Sequence, residues 1–202
     1  MQYHEAKLLA SAGAGQNWPE SDLPEVVFAG RSNAGKSSLI NALVNRKNLA
    51  YEGKTPGKTR LLNFFTVDGR LVLTDAPGYG YAKGGGDTAR MFGELMEPYF
   101  RGRKNLKAMV LVLDIRRVPN ADDQRMVAYA RDAHLAVIAA CTKSDKLGYG
   151  QQLKSVDTIA GELGIRKDSC VICSAQKKTG MDPLWEKIDH ILSQTGSEAG
   201  RT

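Results

Sequence analysis

The stretch GRSNAGKS, at residues 30–37, joins an apolar run to a segment whose apolar residues recur at helical spacing. It matches G-x-x-x-x-G-K-[ST], the pattern of a phosphate-binding loop between a strand and a helix. The glycines let backbone N–H groups surround a phosphate, and the helix amino terminus adds partial positive charge. We expect Lys36 to contact the β- and γ-phosphates of a nucleotide and the Ser37 hydroxyl to bind Mg²⁺. The alternative is a glycine-rich turn that binds no ligand.

Short apolar runs alternate with amphipathic stretches along the rest of the chain. We predict six strands, over residues 25–29, 61–67, 71–74, 108–114, 135–141 and 169–173. We predict helices over residues 37–45, from Asp87 towards Pro98, from Pro119 through Ala130, over 151–163 and after Pro183. This order indicates an α/β fold with a mostly parallel sheet and helices on both faces. The turn VDGR, at residues 67–70, predicts a hairpin and therefore one antiparallel strand.

Three later segments follow predicted strands, at the edge where parallel sheets bind ligands. In DAPG, at residues 75–78, Asp75 suits a Mg²⁺ shell and Gly78 can bring its N–H to a γ-phosphate. In TKSD, at residues 142–145, the Asp145 carboxylate can accept from the N1–H and 2-amino groups of guanine, a donor pair that adenine lacks. The stem of Lys143 can lie along the base. In CSA, at residues 173–175, a backbone N–H can donate to guanine O6.

The segment TPGKTRL, at residues 55–61, lies between the phosphate loop and DAPG. Its glycine, proline and threonine content suits a switch loop that becomes ordered when a hydroxyl meets the γ-phosphate and Mg²⁺. Thr55 and Thr59 both qualify for that role.

Taken in order, GRSNAGKSSLINAL, TPGKTRLLNFF, DAPGYGYA, TKSD and CSA resemble the bacterial ribosome-assembly GTPases called EngB or YsxC. The resemblance implies a three-layer P-loop GTPase fold, the Ras-like G domain, over residues 25–194. It implies hydrolysis of GTP to GDP and phosphate as a molecular switch in large ribosomal subunit assembly, associated with cell division and septation. We expect residues 1–24 to form an N-terminal extension that packs on the G domain, and residues 195–202 to form a disordered tail.

The resemblance also assigns site residues. It implies that Ser37 and Thr59, rather than Thr55, bind Mg²⁺, with Asp75 acting through water. Catalytic roles are expected for Lys36, Thr59, Gly78 and Asn33. The expected nucleotide-binding residues are Gly30, Arg31, Ser32, Asn33, Ala34, Gly35, Lys36, Ser37, Gly57, Lys58, Thr59, Arg60, Leu61, Asp75, Ala76, Pro77, Gly78, Thr142, Lys143, Ser144, Asp145, Cys173, Ser174 and Ala175.

The residue after DAPG is Tyr79, where many small GTPases carry a glutamine that orients water. We therefore expect slow intrinsic hydrolysis that a partner or an ion accelerates. Asn33 could hold K⁺ against the β- and γ-phosphates, or it could merely tolerate the geometry of the turn. The glycine-dense loop at residues 79–86 is expected to be mobile without a partner.

The net charge of +6 favours a polyanionic partner, here the large ribosomal subunit or its rRNA, although a basic solvated surface is the alternative. Basic clusters occur at Arg101, Arg103, Lys104 and Lys107, at Arg116 and Arg117, and at Lys177 and Lys178. No apolar run approaches the roughly 20 residues that span a bilayer, so we expect a cytoplasmic protein with no membrane partner. Nothing in the sequence suggests a dimer, and we expect a monomer.

The three cysteines, Cys141, Cys170 and Cys173, cannot all pair with one another. The last two form C-x-x-C, but no second pair completes a tetrahedral zinc site. We interpret them as buried strand cysteines.

The residues alone leave two other functions possible. In the first, a binding module exchanges nucleotide and hydrolysis is incidental. In the second, an ATP-dependent P-loop kinase uses the phosphate loop, although TKSD would then have no explanation.

Overall fold

The structure, a computed structural model, describes residues 4–14, 17–50, 61–80 and 92–198. These residues form one sheet of seven strands, β1 (Ala6–Ala12), β2 (Glu25–Gly30), β3 (Leu62–Val67), β4 (Leu71–Asp75), β5 (Leu106–Asp114), β6 (Ala136–Thr142) and β7 (Cys170–Ile172). The strand order across the sheet is β1-β3-β4-β2-β5-β6-β7. β3 pairs antiparallel with both neighbours, and the other neighbouring pairs are parallel. The predicted α/β fold with one antiparallel strand is confirmed.

The sheet contains one strand more than the six predicted, because β1 adds an edge next to β3. Its sequence, AKLLASA, places Leu8 and Leu9 on the exposed surface. The pairing with β3 also shifts register between Leu8 and Ala10. A strand with exposed leucines and a bulge lacks the alternating pattern from which strands are predicted.

Five α-helices lie in the described residues, α1 (Lys36–Leu43), α2 (Glu97–Gly102), α3 (Ala121–Asp132), α4 (Tyr149–Leu163) and α5 (Met181–Glu198). Buried residues of α1 and α5, such as Ile40 and Ile188, belong to the core on one face of the sheet. Buried residues of α2, α3 and α4, such as Tyr99, Met126 and Ile159, belong to the core on the other face. The three-layer arrangement follows from these two cores.

The helix boundaries differ from the predicted ones at several points. The predicted helix start at Asp87 lies outside the described residues, and a π-helical turn over Phe92–Met96 precedes α2. Asn120 rather than Pro119 caps α3. The last helix continues to Glu198, into the segment expected to be disordered, while residues 199–202 lie outside the described part. The division into an N-terminal extension, a G domain and a tail stays a prediction.

A buried polar cluster lies where β2 begins, at the opposite end of the strand from the phosphate loop. Glu25 is fully buried and accepts hydrogen bonds from Thr74 Oγ1 at 2.8 Å, Arg103 Nε at 2.7 Å and the Tyr99 hydroxyl. The interpretation of Arg103 as part of a basic surface was wrong, because its guanidinium pairs with this carboxylate instead. Arg101 and Lys104 are exposed.

Candidate nucleotide-binding site

The predicted phosphate loop connects β2 to α1 and takes a left-handed path at two positions. Asn33 has φ 65° and Gly35 has φ 93°, a region that glycine and asparagine adopt more readily than other residues. At Gly30 a Cβ atom would lie 2.6 Å from the carbonyl oxygen of Val112 on β5. This close approach requires glycine. The loop leads into Lys36, the first residue of α1, so the helix amino terminus borders the loop.

Lys36 and Asp75 bring the phosphate loop and the DAPG segment together. The Lys36 ammonium donates to Asp75 Oδ1, and both side chains are about nine-tenths buried. The Ala76 N–H donates to the carbonyl oxygen of Phe28 at 3.0 Å, which keeps DAPG beside β2. The carboxyl ends of β2 and β4, and the two segments that follow them, therefore lie side by side.

The TKSD segment contacts the phosphate loop directly. The Thr142 hydroxyl lies 2.6 Å from the carbonyl oxygen of Ala34. Lys143 has φ 59°, and its ammonium lies 2.7 Å from the carbonyl oxygen of Asn33 and 3.1 Å from Asp114 Oδ2. The predicted base-binding and phosphate-binding segments are thus one connected structure.

Asp145 and Ser174 bring the TKSD and CSA segments together. Ser174 Oγ donates to Asp145 Oδ1 at 2.6 Å, and the Ser144 N–H donates to the carbonyl oxygen of Cys173 at 3.1 Å. The hydrogen bond from Ser174, aided by Lys146, lowers the pKa of Asp145. The carboxylate is therefore ionised at neutral pH, as an acceptor of two guanine N–H donors must be.

Asp114, at the end of β5, belongs to the same edge and was missed by the sequence analysis. Its two oxygens accept from Arg116 Nε at 2.9 Å and Nη2 at 2.7 Å, and Lys143 adds a third contact. Burial alone would raise the pKa of Asp114, but the hydrogen bonds from Arg116 and Lys143 outweigh it and hold the pKa well below its usual range. The available signal was a carboxylate that ends the apolar run AMVLVLD, the position that Asp75 occupies after its own strand.

Tyr79, the first residue of the loop at 79–86, is buried, and the expected mobility of that loop stays a prediction. Its hydroxyl donates to Asp123 Oδ1 at 2.7 Å. Its side chain is 2% exposed and therefore does not border the solvent-facing part of the site. Asp123, on α3, is a second residue that the sequence analysis missed. Residues 81–86 lie outside the described part of the chain.

The structure thus brings together the loops that follow β2, β4, β6 and β7, four segments on which site residues were predicted. Leu61 is half-buried and precedes β3. The other predicted switch-loop residues lie outside the described part of the chain, namely Thr55, Gly57, Lys58, Thr59 and Arg60. The choice between Thr55 and Thr59 stays a prediction.

The residues that could hold a metal ion here are Ser37, which ends the phosphate loop in the first turn of α1, and Asp75, and both offer oxygen atoms. Oxygen ligands of this kind suit Mg²⁺, which takes one or two protein ligands and completes its shell with phosphates and water. Within the described residues no group of three or more His, Cys, Asp or Glu side chains could hold a metal ion. The donor set therefore fits a nucleotide-associated Mg²⁺ rather than an all-protein metal site.

The three cysteines are free thiols, and the backbone of Cys173 takes part in the candidate site through its carbonyl oxygen, which accepts the Ser144 N–H. Cys141 is buried in β6, Cys170 is half-buried in β7, and Cys173 is buried just after β7. Burial raises the pKa of Cys173 to about 12, which keeps this thiol protonated at neutral pH. In the ranges that the structure covers, the helices are too short or too polar to cross a membrane.

Comparisons with known proteins agree with this geometry. Residues 25–143 match the model of a family described as 50S ribosome-binding GTPase. A probable GTP-binding protein EngB from Geobacter metallireducens is 42% identical over 199 residues, 98% of each chain. A probable GTP-binding protein EngB from Streptococcus gordonii is 42% identical over 92% of this chain and 94% of its own.

A crystal structure of a probable GTP-binding protein engB has the same fold, with a TM-score of 0.69 and 24% sequence identity. The similarity covers 84% of this chain and 99% of that one. The sequence relatives extend over nearly the whole chain, and the matched family model includes the phosphate loop, DAPG and the start of TKSD. We conclude that the chain belongs to the EngB family of P-loop GTP-binding proteins, which hydrolyse GTP.

Proposed function

We propose that this protein uses GTP hydrolysis as a switch that controls its binding to the large ribosomal subunit during assembly. The observation that carries the proposal is the direct contact of TKSD with the phosphate loop in a chain that matches a 50S ribosome-binding GTPase model. An association with cell division and septation, which the resemblance of the sequence motifs implies, is a further part of the proposal. A monomeric, cytoplasmic protein without a membrane partner is part of this proposal.

The nucleotide would lie along the carboxyl edge of the sheet. In this assignment residues 30–37 bind the phosphates, with Lys36 moving its ammonium from Asp75 to the β- and γ-phosphate oxygens. Gly78 donates its N–H to the γ-phosphate. Asp145 accepts from the guanine base, and the N–H of Ala175 donates to guanine O6. Adenine is rejected because it would leave the Asp145 carboxylate unpaired.

Ser37 would hold Mg²⁺ directly, Asp75 would hold it through water, and Thr59 would contribute the switch-loop ligand. When bound, the ion neutralises charge on the β- and γ-phosphate oxygens. Lys36 would add positive charge beside the same oxygens, which stabilises GDP as the leaving group.

Asn33 is the candidate for a K⁺ ligand near the β- and γ-phosphates. Its left-handed backbone, with φ 65°, equally suits a purely conformational role. GTP hydrolysis by wild type and by the Asn33→Ala variant, each measured in KCl and in NaCl, separates the two. A K⁺ role predicts faster hydrolysis in KCl for wild type alone, and equal rates in all four measurements would exclude it.

Exposed lysines near the guanine side provide a surface for ribosomal RNA. Lys177 and Lys178 are exposed and follow the CSA segment after Gln176, and Arg117 is exposed after β5. Each RNA phosphate that such a residue neutralises releases counterions, so binding should weaken steeply as salt rises. Neutralising one contact residue should reduce the slope of log affinity against log salt by about one.

Sedimentation with ribosomal subunits tests the proposal. We expect the protein to sediment with large subunits or their precursors in a non-hydrolysable GTP analogue and to dissociate in GDP. The Lys177→Ala variant should bind less tightly, whereas Lys154→Ala, on the exposed surface of α4, should bind like wild type. Equal binding in both nucleotides would contradict the switch.

A variant that binds GTP but cannot hydrolyse it tests the alternative of a nucleotide-exchanging module. Subunit assembly in cells should stall with this variant if hydrolysis resets the switch. Normal assembly would favour the module in which hydrolysis is incidental.

A further inference from the structure

We infer that Tyr79 and Asp123 are a positioning pair that holds the DAPG turn, and with it the Gly78 N–H, against the phosphate loop. The inference rests on the proposed role of Gly78 as a donor to the γ-phosphate. It assigns to Tyr79 a role in ordering the backbone of the site instead of a role in handling the attacking water.

The backbone N–H and the backbone carbonyl oxygen of Tyr79 both form hydrogen bonds to the phosphate loop. The Tyr79 N–H donates to the carbonyl oxygen of Gly30 at 3.3 Å, and the Ser32 N–H donates to the carbonyl oxygen of Tyr79 at 2.9 Å. A Cβ atom on Gly78 would lie 3.0 Å from Ser32 Oγ and 3.2 Å from Ser32 Cα. The position of the Gly78 N–H relative to the phosphate loop therefore depends on where Tyr79 is held.

The side chain of Tyr79 supplies the anchor. Its hydroxyl donates to Asp123 Oδ1, and the other carboxylate oxygen of Asp123 accepts the Asn120 N–H at 2.9 Å. Asp123 is 1% exposed and lies in the first turn of α3, where the helix dipole stabilises a carboxylate. Helix α3 packs in the core through Met126 and Val127. The anchor is thus a rigid helix rather than another loop.

The same contacts exclude Tyr79 from the reacting centre. A phenol that is 2% exposed and bonded to α3 does not reach a water molecule at the γ-phosphate. Gly80 follows with φ 82°, so the chain can turn away directly after the anchored residue. Burial and the nearby Asp123 carboxylate raise the pKa of Tyr79, so the phenol keeps its proton and remains a donor across the physiological range.

The test compares Tyr79→Phe with Tyr99→Phe. Both variants remove a buried phenol hydroxyl that donates to a buried carboxylate, Asp123 in one case and Glu25 in the other, and only the first lies beside the phosphate loop. The readouts are the affinity for the GTP analogue GMPPNP, the affinity for GDP, the single-turnover rate of GTP hydrolysis and the melting temperature.

We expect Tyr79→Phe to lower the ratio of GMPPNP to GDP affinity about tenfold and to slow hydrolysis by a similar factor. Tyr99→Phe should lower the melting temperature and leave the affinity ratio within twofold of wild type. A Tyr79→Phe ratio within twofold of wild type would overturn the inference, as would an equal loss of the ratio in both variants. A wild-type protein that binds neither nucleotide would instead contradict the proposed function.

Asp123→Ala provides a second test if Tyr79→Phe fails to fold. Asparagine would not suffice, because its side-chain NH₂ can donate to the phenol oxygen and keep the contact, whereas alanine removes both acceptor oxygens. We expect Asp123→Ala to lower the ratio of GMPPNP to GDP affinity about tenfold, and its melting temperature shows whether the variant is folded. An unchanged ratio in a folded Asp123→Ala variant would overturn the positioning role.

Discussion

The ammonium group of Lys143 lies 2.7 Å from the carbonyl oxygen of Asn33, so a side chain of the TKSD segment supports the backbone of the phosphate loop. The same ammonium lies 3.1 Å from Asp114 Oδ2. We expect a residue placed this way to affect phosphate binding as well as base binding. The guanine and phosphate parts of the site are therefore expected to respond together to substitutions at this lysine.

Lys143→Met should weaken GDP and GTP binding by a similar factor of at least about tenfold. A hydrogen bond from a charged group contributes about 1.5–3 kcal/mol, and its loss here releases the phosphate loop and leaves Asp114 with Arg116 alone. Titration calorimetry with both nucleotides measures the effect. Lys154→Met, on the exposed surface of α4, is the control. Unchanged affinities in Lys143→Met would show that the contact does not support the loop.

Glu25→Gln should lower the free energy of unfolding by about 3–5 kcal/mol, because it breaks a buried ion pair and leaves Arg103 without its carboxylate. Urea denaturation measures this change. Nucleotide affinity of the folded variant should stay near that of wild type, since Glu25 begins β2 and the phosphate loop follows its end. The exposed pair of Glu5 and Lys7 gives the control, Glu5→Gln, with an expected change of about 0–1 kcal/mol. Equal effects of the two substitutions would contradict the buried pair.

The free energy of unfolding should depend on pH through the protonation of Asp114. Its folded pKa lies below the unfolded value of about 3.9, so its contribution is complete above that value and is lost as pH falls towards the folded pKa. The difference in unfolding free energy between wild type and Asp114→Asn should be largest near pH 7 and smaller at pH 3. Asp132→Asn, an exposed carboxylate on α3, is the comparison. A difference that grows on acidification would refute the assignment.

Short sequence patterns were sufficient to predict much of this fold and the segments that form the candidate site. The phosphate loop, DAPG and TKSD were predicted because their chemistry depends on neighbouring residues at the ends of apolar strands. The Tyr79–Asp123 and Glu25–Arg103 pairs were not, because their members are separated by 44 and 78 residues and meet only after the sheet assembles. An arginine in a basic run gives no sign that its partner is a buried glutamate.

The edge strand β1 was not predicted from the sequence, for a related reason. Its leucines point to solvent, so the pattern that reveals a strand through one buried face is missing. The length of α5 was underestimated because polar residues at its end resemble those of a tail, although the backbone continues as a helix to Glu198.

The nucleotide preference of Asp145→Asn tests the central claim, that these converging loops bind guanine through Asp145. Wild type should bind GTP and reject both ATP and XTP. The variant should lose GTP affinity by about a thousandfold and gain affinity for XTP, whose base offers an acceptor in place of the 2-amino donor. Asp168→Asn, an exposed carboxylate paired with Arg166, should behave like wild type. Undiminished GTP binding by Asp145→Asn, with no gain for XTP, would contradict the account.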